Sequence, residues 1–125
     1  MDRPVDNVEG RPQGAEGIAE VARIISRAGL VEAFGHVSAR SGDRFLITPT
    51  RPLGKTSESD VLELDASGQP IGEADDVPLE APLHAAVYAA REDVGAVVRT
   101  HSPAAVAAGA DGEVPPLVHG LGGLA

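Results

Sequence analysis

The sequence has no cysteine and no tryptophan, and its only phenyl or phenol rings are Phe34, Phe45 and Tyr88. Without cysteine there is neither a disulfide framework nor a thiolate, so any metal must be held by nitrogen and oxygen donors. That absence suits a reducing, cytoplasmic setting. Because aromatics are scarce, a core drawn from the 42% hydrophobic residues must be filled by Ala, Val, Leu and Ile. Positive charge is also in deficit, with ten Lys and Arg against nineteen Asp and Glu, for a net charge of -9. Such a surface repels phosphate backbones and anionic bilayers, and no basic block opposes the trend. A single Arg or Lys can still meet a small anionic substrate in a local pocket. No run of about eighteen apolar residues is present to span a membrane. The opening MDRPVDNVEGRPQGAEG carries no apolar stretch after its charges. The expectation is a soluble cytoplasmic protein with neither nucleic acid nor membrane as partner. Its 125 residues provide one domain and no separate substrate domain.

Residues 1–15 mix Pro, Gly and charge without periodicity and read as a flexible arm, with the domain proper over 16–125. Ile18, Val21, Ala22, Ile24, Ile25 and Ala28 recur at three- and four-residue intervals, predicting a helix over 16–28 that stops at Gly29. His36 to Arg40 and Arg44 to Thr48, parted by Ser41-Gly42-Asp43, read as a hairpin. A strand follows over 61–65, with Pro70-Ile71 as a short return strand. Residues 81–91 read as a second helix, with Pro82 in its first turn and Glu80 at its entrance. The apolar run Val94 to Val98, extended by Arg99 and Thr100, has the pattern of a strand buried on both faces. A short helix starts at Ser102-Pro103 and ends by Gly109. The alternation indicates α/β, or α plus β with a mostly antiparallel sheet. Pro115 to His119 reads as extended, and no closing element follows it.

Glu80, His84 and Tyr88 are spaced by four and share one helical stripe, which brings a carboxylate and an imidazole together. The stripe suits acid/base chemistry. It also suits structural service, with Glu80 at the helix N-terminus, His84 in the core and Tyr88 in packing. His101 follows a strand and precedes a helix, where active-site side chains of α/β proteins emerge. As a metal ligand it needs partners, from His36, His84, His119, Glu80 or residues not present; otherwise it caps or packs. His36, Ser38 and Arg40 share one strand face, either to anchor an anion or as the solvated side of an edge strand. Gly54-Lys55-Thr56 lacks the earlier glycine of a phosphate loop.

In order, GLVEAFGHVSAR, RFLITPT, SDVLELDASGQPI and PLEAPLHAAVYAAREDVGAVVRTHSPA resemble the class II aldolase/adducin family over about residues 16–119. The resemblance implies a three-layer α/β/α sandwich with a mainly antiparallel sheet, C-terminally incomplete in this chain. It also implies a homo-oligomer, usually a tetramer, and a small-molecule substrate. The implied activity is lyase-like, with aldol cleavage or decarboxylation beside a carbonyl through an enolate. The alternative is an inactive binding or oligomerisation domain like the adducin head.

By the same resemblance Glu80 is the general acid/base, and His36, Ser38, Arg40, Thr48 and Arg99 are substrate-binding candidates. His101 is the metal ligand for a divalent ion, zinc by expectation. The family's His-x-His reads Arg99-Thr100-His101 here, so Arg99 replaces one ligand, and the third lies downstream of this chain. His36 stands where sugar-phosphate aldolases carry Asn, and Leu79 where they carry a phosphate-binding Ser. Both departures point to a carboxylate or other non-phosphorylated carbonyl compound.

Overall fold

The computed structural model describes residues 13–112 and residue 114. Most of the expected arm, the Pro115 to His119 segment and the possible ligand His119 lie outside the described residues. Helix α1 spans Ala15–Arg27 and buries Ile18, Ala19, Ala22 and Ile25, the apolar face read from the sequence. Gly29 ends it with φ 73°, a left-handed conformation that side-chain-bearing residues rarely adopt.

Strands β1 (His36–Ser41) and β2 (Arg44–Ile47) form the expected antiparallel hairpin, turning at Gly42, which has φ 63°. Two short 3-10 helices, Leu53–Lys55 and Glu58–Asp60, lead to β3 (Leu62–Leu64). The expected return strand at Pro70-Ile71 is reduced to one bridge, between Leu64 and Pro70. Helix α2 (Ala81–Ala90), strand β4 (Ala96–Arg99) and helix α3 (Pro103–Gly109) complete the described chain. The sheet order is β3-β2-β1-β4, with every pairing antiparallel.

Alternation along the strands divides the sheet into two faces. On one, Val37 and Leu46 join α1 residues, Val31, Leu53 and Val61 in an apolar cluster. On the other, Phe45, Ile47 and Leu64 pack with Ala81, Ala85 and Tyr88 of α2. Helix, sheet and helix thus form the three layers.

One expectation fails. β4 is not buried on both faces: Ala96 and Val98 are exposed, and only Val97 is packed toward the α2 cluster. The cause is position. β4 is the sheet edge, and Val98 pairs with Val37 on the α1 face, where α1 packs on β1 and β2.

Candidate functional site

Two steps along a strand advance about 6.7 Å, and four residues of an α-helix advance about 6 Å. A strand face read at every second residue can therefore stay in step with a helix stripe read at every fourth. β1 and α2 do this: His36, Ser38 and Arg40 meet Glu80, His84 and Tyr88 in the same order.

At one end the half-buried Arg40 guanidinium donates to the carbonyls of Val94 (3.0 Å), Tyr88 (2.9 Å) and Arg91 (2.8 Å). It also lies 4.9 Å from the centre of the Tyr88 ring. In the middle, Ser38 Oγ is 2.6 Å from His84 Nδ1 and 2.7 Å from the Tyr88 hydroxyl. Ser38 and His84 are both 0% exposed. The strand face is therefore buried rather than the solvated edge that the sequence also allowed.

At the outer end lies a cluster of charge. Antiparallel register places Arg99 opposite His36 on the α2 face. Above them Glu80 occupies the N-cap position of α2 but makes no capping hydrogen bond with its side chain, so the carboxylate is not committed to the helix. Glu80 Oε1 is 3.4 Å from Arg99 Nη1, and Glu80 Oε2 is 3.8 Å from His36 Nε2. The first approach is an ion pair without hydrogen-bond geometry, because Arg99 Nη1 is buried and has no hydrogen-bond partner. The Glu80 and Arg99 side chains keep about a third of their surface, 36% and 33%, while His36 keeps 8%. A small molecule can reach the first two.

Burial holds the His36 imidazole below its ordinary value; Glu80 opposes that shift and Arg99 adds to it. Burial likewise pushes His84 down to about 4, helped by His36 and Arg99 and opposed by Glu80. Both rings are neutral near pH 7. The Tyr88 hydroxyl is pushed up by burial.

Of the seven residues to which the family resemblance gives a role, three converge: His36, Glu80 and Arg99. Ser38 and Arg40 lie on the same face but bond inward, to His84 and Tyr88 and to backbone carbonyls. Thr48 is buried and its hydroxyl accepts the Val37 amide at 3.1 Å. His101 is exposed, stacks edge-on against Phe34 at 5.7 Å, and donates its amide to the Leu30 carbonyl.

The family's metal requires a donor set that the described residues do not assemble, since none of their His, Asp and Glu side chains group in threes suited to an ion. The Arg99 guanidinium occupies the neighbourhood of Glu80, where a cation would be opposed by fixed positive charge. A metal at His101 would need ligands from beyond these residues. An open concavity of about 980 Å³ between Arg51 and Asp76 shares no residue with the Glu80 cluster and contains no imidazole.

The hydrogen-bonded trio Ser38, His84 and Tyr88 was not assembled by sequence reasoning. Its signals were present separately, as a period of two in β1 and a period of four in α2.

Comparison with known proteins agrees with this fold. The chain is 35% identical over 104 residues to a 3,4-dihydroxyphthalate decarboxylase of Arthrobacter keyseri, covering 74% of this chain and 42% of that protein. It is 35% identical over 81 residues to an L-fuculose phosphate aldolase of Methanocaldococcus jannaschii, covering 64% of this chain and 44% of that protein. The chain thus spans less than half the length of these relatives. The solved L-fuculose 1-phosphate aldolase of Glaciozyma antarctica superposes with a TM-score of 0.71 at 20% identity, over 91% of this chain and 50% of that one. At that identity the likeness concerns the fold alone. Residues 16–122 match the family model for the class II aldolase and adducin N-terminal domain, and the chain belongs to that family.

Proposed function

We propose that this chain supplies the acid/base and anion-holding part of a lyase site that acts beside a carbonyl, on a small carboxylate rather than a sugar phosphate. The supporting observation is Glu80, uncommitted to its helix and flanked by Arg99 at 3.4 Å and His36 at 3.8 Å. In decarboxylation of an ortho-hydroxy aromatic acid, Glu80 in its acid form adds a proton to the ring carbon that bears the carboxylate while the phenol gives up its proton to water, which makes the neighbouring carbonyl. The bond to the carboxylate then breaks, CO2 leaves, and the electron pair moves into that carbonyl to give an enolate, the phenolate of the product. In aldol cleavage Glu80 removes the hydroxyl proton, the carbon–carbon bond breaks to release an aldehyde, and its electron pair moves into the carbonyl to make the enolate. Arg99 is the fixed cation that stabilises the anionic oxygen, and His36 stands 3.8 Å from the Glu80 carboxylate. Ser38 and Arg40, expected as substrate anchors, tie β1 to α2, and Thr48, expected likewise, ties the end of β2 to β1 at the Val37 amide.

The choice of carboxylate rests on Leu79, 94% exposed where a phosphate-binding serine is expected, and on the decarboxylase relatives. Exposed Leu79 and Leu83 at the start of α2 support the self-association that the family resemblance implies. The rival reading, an inactive binding domain, draws its support from Arg99 standing at an expected ligand position.

The test compares the chain with Glu80→Gln, measuring CO2 released from 3,4-dihydroxyphthalate and aldehyde released from L-fuculose 1-phosphate. The expected result is CO2 from the dicarboxylate, slowed about 10²- to 10⁴-fold by Glu80→Gln. Turnover of the sugar phosphate alone, or a rate indifferent to Glu80→Gln, overturns the proposal. Saturable binding without turnover transfers the case to the rival.

A further inference from the structure

Two buried ring nitrogens in the β1–α2 interface have no hydrogen-bond partner, His84 Nε2 and His36 Nδ1. A buried polar atom without a partner is unfavourable, and here two stand in adjacent rings. The ring centres are 6.0 Å apart with planes at 77°. Each imidazole nitrogen lies about 1.1 Å from its ring centre, so nitrogens aimed straight at one another would stand about 3.8 Å apart, and a shift of one ring by somewhat under about 1 Å toward the other completes the hydrogen bond.

The direction of the bonds follows from counting protons. The Tyr88 hydroxyl, Ser38 hydroxyl and His84 Nδ1 lie in a row with separations of 2.7 and 2.6 Å. If Tyr88 donates to Ser38 and Ser38 donates to Nδ1, both hydroxyl protons have acceptors. In the opposite direction His84 donates to Ser38 and Ser38 to Tyr88, and the phenol must place its own proton elsewhere. The first arrangement is therefore favoured, and it leaves the single proton of neutral His84 on Nε2. An Nε2 proton is a donor, and its complement in the neighbouring ring is a bare His36 Nδ1. Neutral His36 then carries its own proton on Nε2, the atom nearest Glu80 Oε2 at 3.8 Å.

We infer that Tyr88, Ser38, His84 and His36 form one directional hydrogen-bond relay ending on Glu80, with His84 as a positioning residue that fixes which His36 nitrogen presents a proton to the carboxylate. The two inner links are closed in this structure and the two outer links are open. A shift of His36 toward His84 pairs the two orphaned nitrogens, and the Glu80 carboxylate, uncommitted to its helix, swings in to accept from His36 Nε2. The lowered values of both rings agree with neutral imidazoles, which each link requires. This inference deepens the proposed lyase reading by assigning the source of Glu80's orientation, but the relay itself is independent of turnover.

Its test is a long-range ¹H–¹⁵N correlation spectrum of the ¹⁵N-histidine-labelled chain at pH 7.5, which distinguishes protonated from bare ring nitrogens. His84 and His36 should each appear as a single neutral form with the proton on Nε2. Tyr88→Phe, a conservative change that removes only the first donor, should admit the Nδ1-protonated form of His84. A second set of signals should then also appear for His36, which lies beyond direct contact with residue 88. A purely structural Tyr88 would leave His36 unmoved, and that result overturns the relay. So does wild-type His84 protonated at Nδ1, or an imidazolium at either ring. Ser38→Ala provides the second variant, with the same outcome expected at both histidines. If the tautomers are as stated while the chain fails to release CO2, the lyase reading falls and the relay stands.

Discussion

The two faces of the sheet are built from the same strands and differ in what they bury. Against α1 (Ala15–Arg27) the sheet presents Val37 and Leu46 to an apolar cluster. Against α2 (Ala81–Ala90) it presents Phe45 and Ile47 beside His36, Ser38 and, across the interface, His84. The first face is held by non-directional burial, which tolerates substitution of similar volume. The second is held partly by directional bonds, each of which needs its partner in place. A fold needs only faces of the first kind. The polar row on the second face is aimed at one end, where Glu80 and Arg99 reach solvent.

The sharpest probe of this contrast is Leu46→Ala on the apolar face. Leu46 is 1% exposed, and its truncation should lower stability by about 3 kcal/mol through lost burial and a cavity. Chemical denaturation measures the loss, and the histidine ring signals should stay where they are. Changed tautomers at His36 or His84 would show that the two faces are coupled.

Mild acidification should act first on the second face. His84 has a folded value of about 4 against an ordinary 6.5, so between these pH values the unfolded chain takes up a proton that the folded chain refuses. The contribution of this group is fully present above about pH 6.5 and is lost as pH falls toward 4. His36 is shifted in the same direction. The loss from His84 amounts to at most about 3 kcal/mol, and urea midpoints measured across that range should fall. His84→Gln should flatten the slope. An unchanged slope in that variant would assign the acid sensitivity elsewhere.

A smaller effect is expected from Ser38→Ala, which removes one oxygen and leaves His84 Nδ1 and the Tyr88 hydroxyl without their partner. The cost should be about 2 kcal/mol, more than the lost volume alone explains. A nearly neutral change would mean that the polar row does not discriminate this face from the other.

Much of the architecture was legible locally. The periodicity of Ile18, Ala22 and Ile25, the Ser41-Gly42-Asp43 turn, Pro82 in a first turn and the stop at Gly109 each act within a few residues, so α1, the β1–β2 hairpin, α2 and α3 follow from them. β4 was misjudged because an apolar run reveals appetite for burial but not whether a neighbour arrives to satisfy it. The candidate site was legible as single residues. Glu80, His36 and Arg99 were each singled out, yet no spacing could bring them together, since they lie on a helix and on two strands separated by most of the described chain.

The sequence alone determined which residues share a face, because helical and strand periods are properties of the local backbone. Period two placed His36, Ser38 and Arg40 together, and period four placed Glu80, His84 and Tyr88 together. Only the tertiary structure decided that these two rows meet, and that the antiparallel register of β1 with β4 seats Arg99 beside His36 beneath Glu80. The physical reason is that pairing between distant segments is chosen by the packing of the whole sheet between its helices, and a periodicity carries no record of its partner.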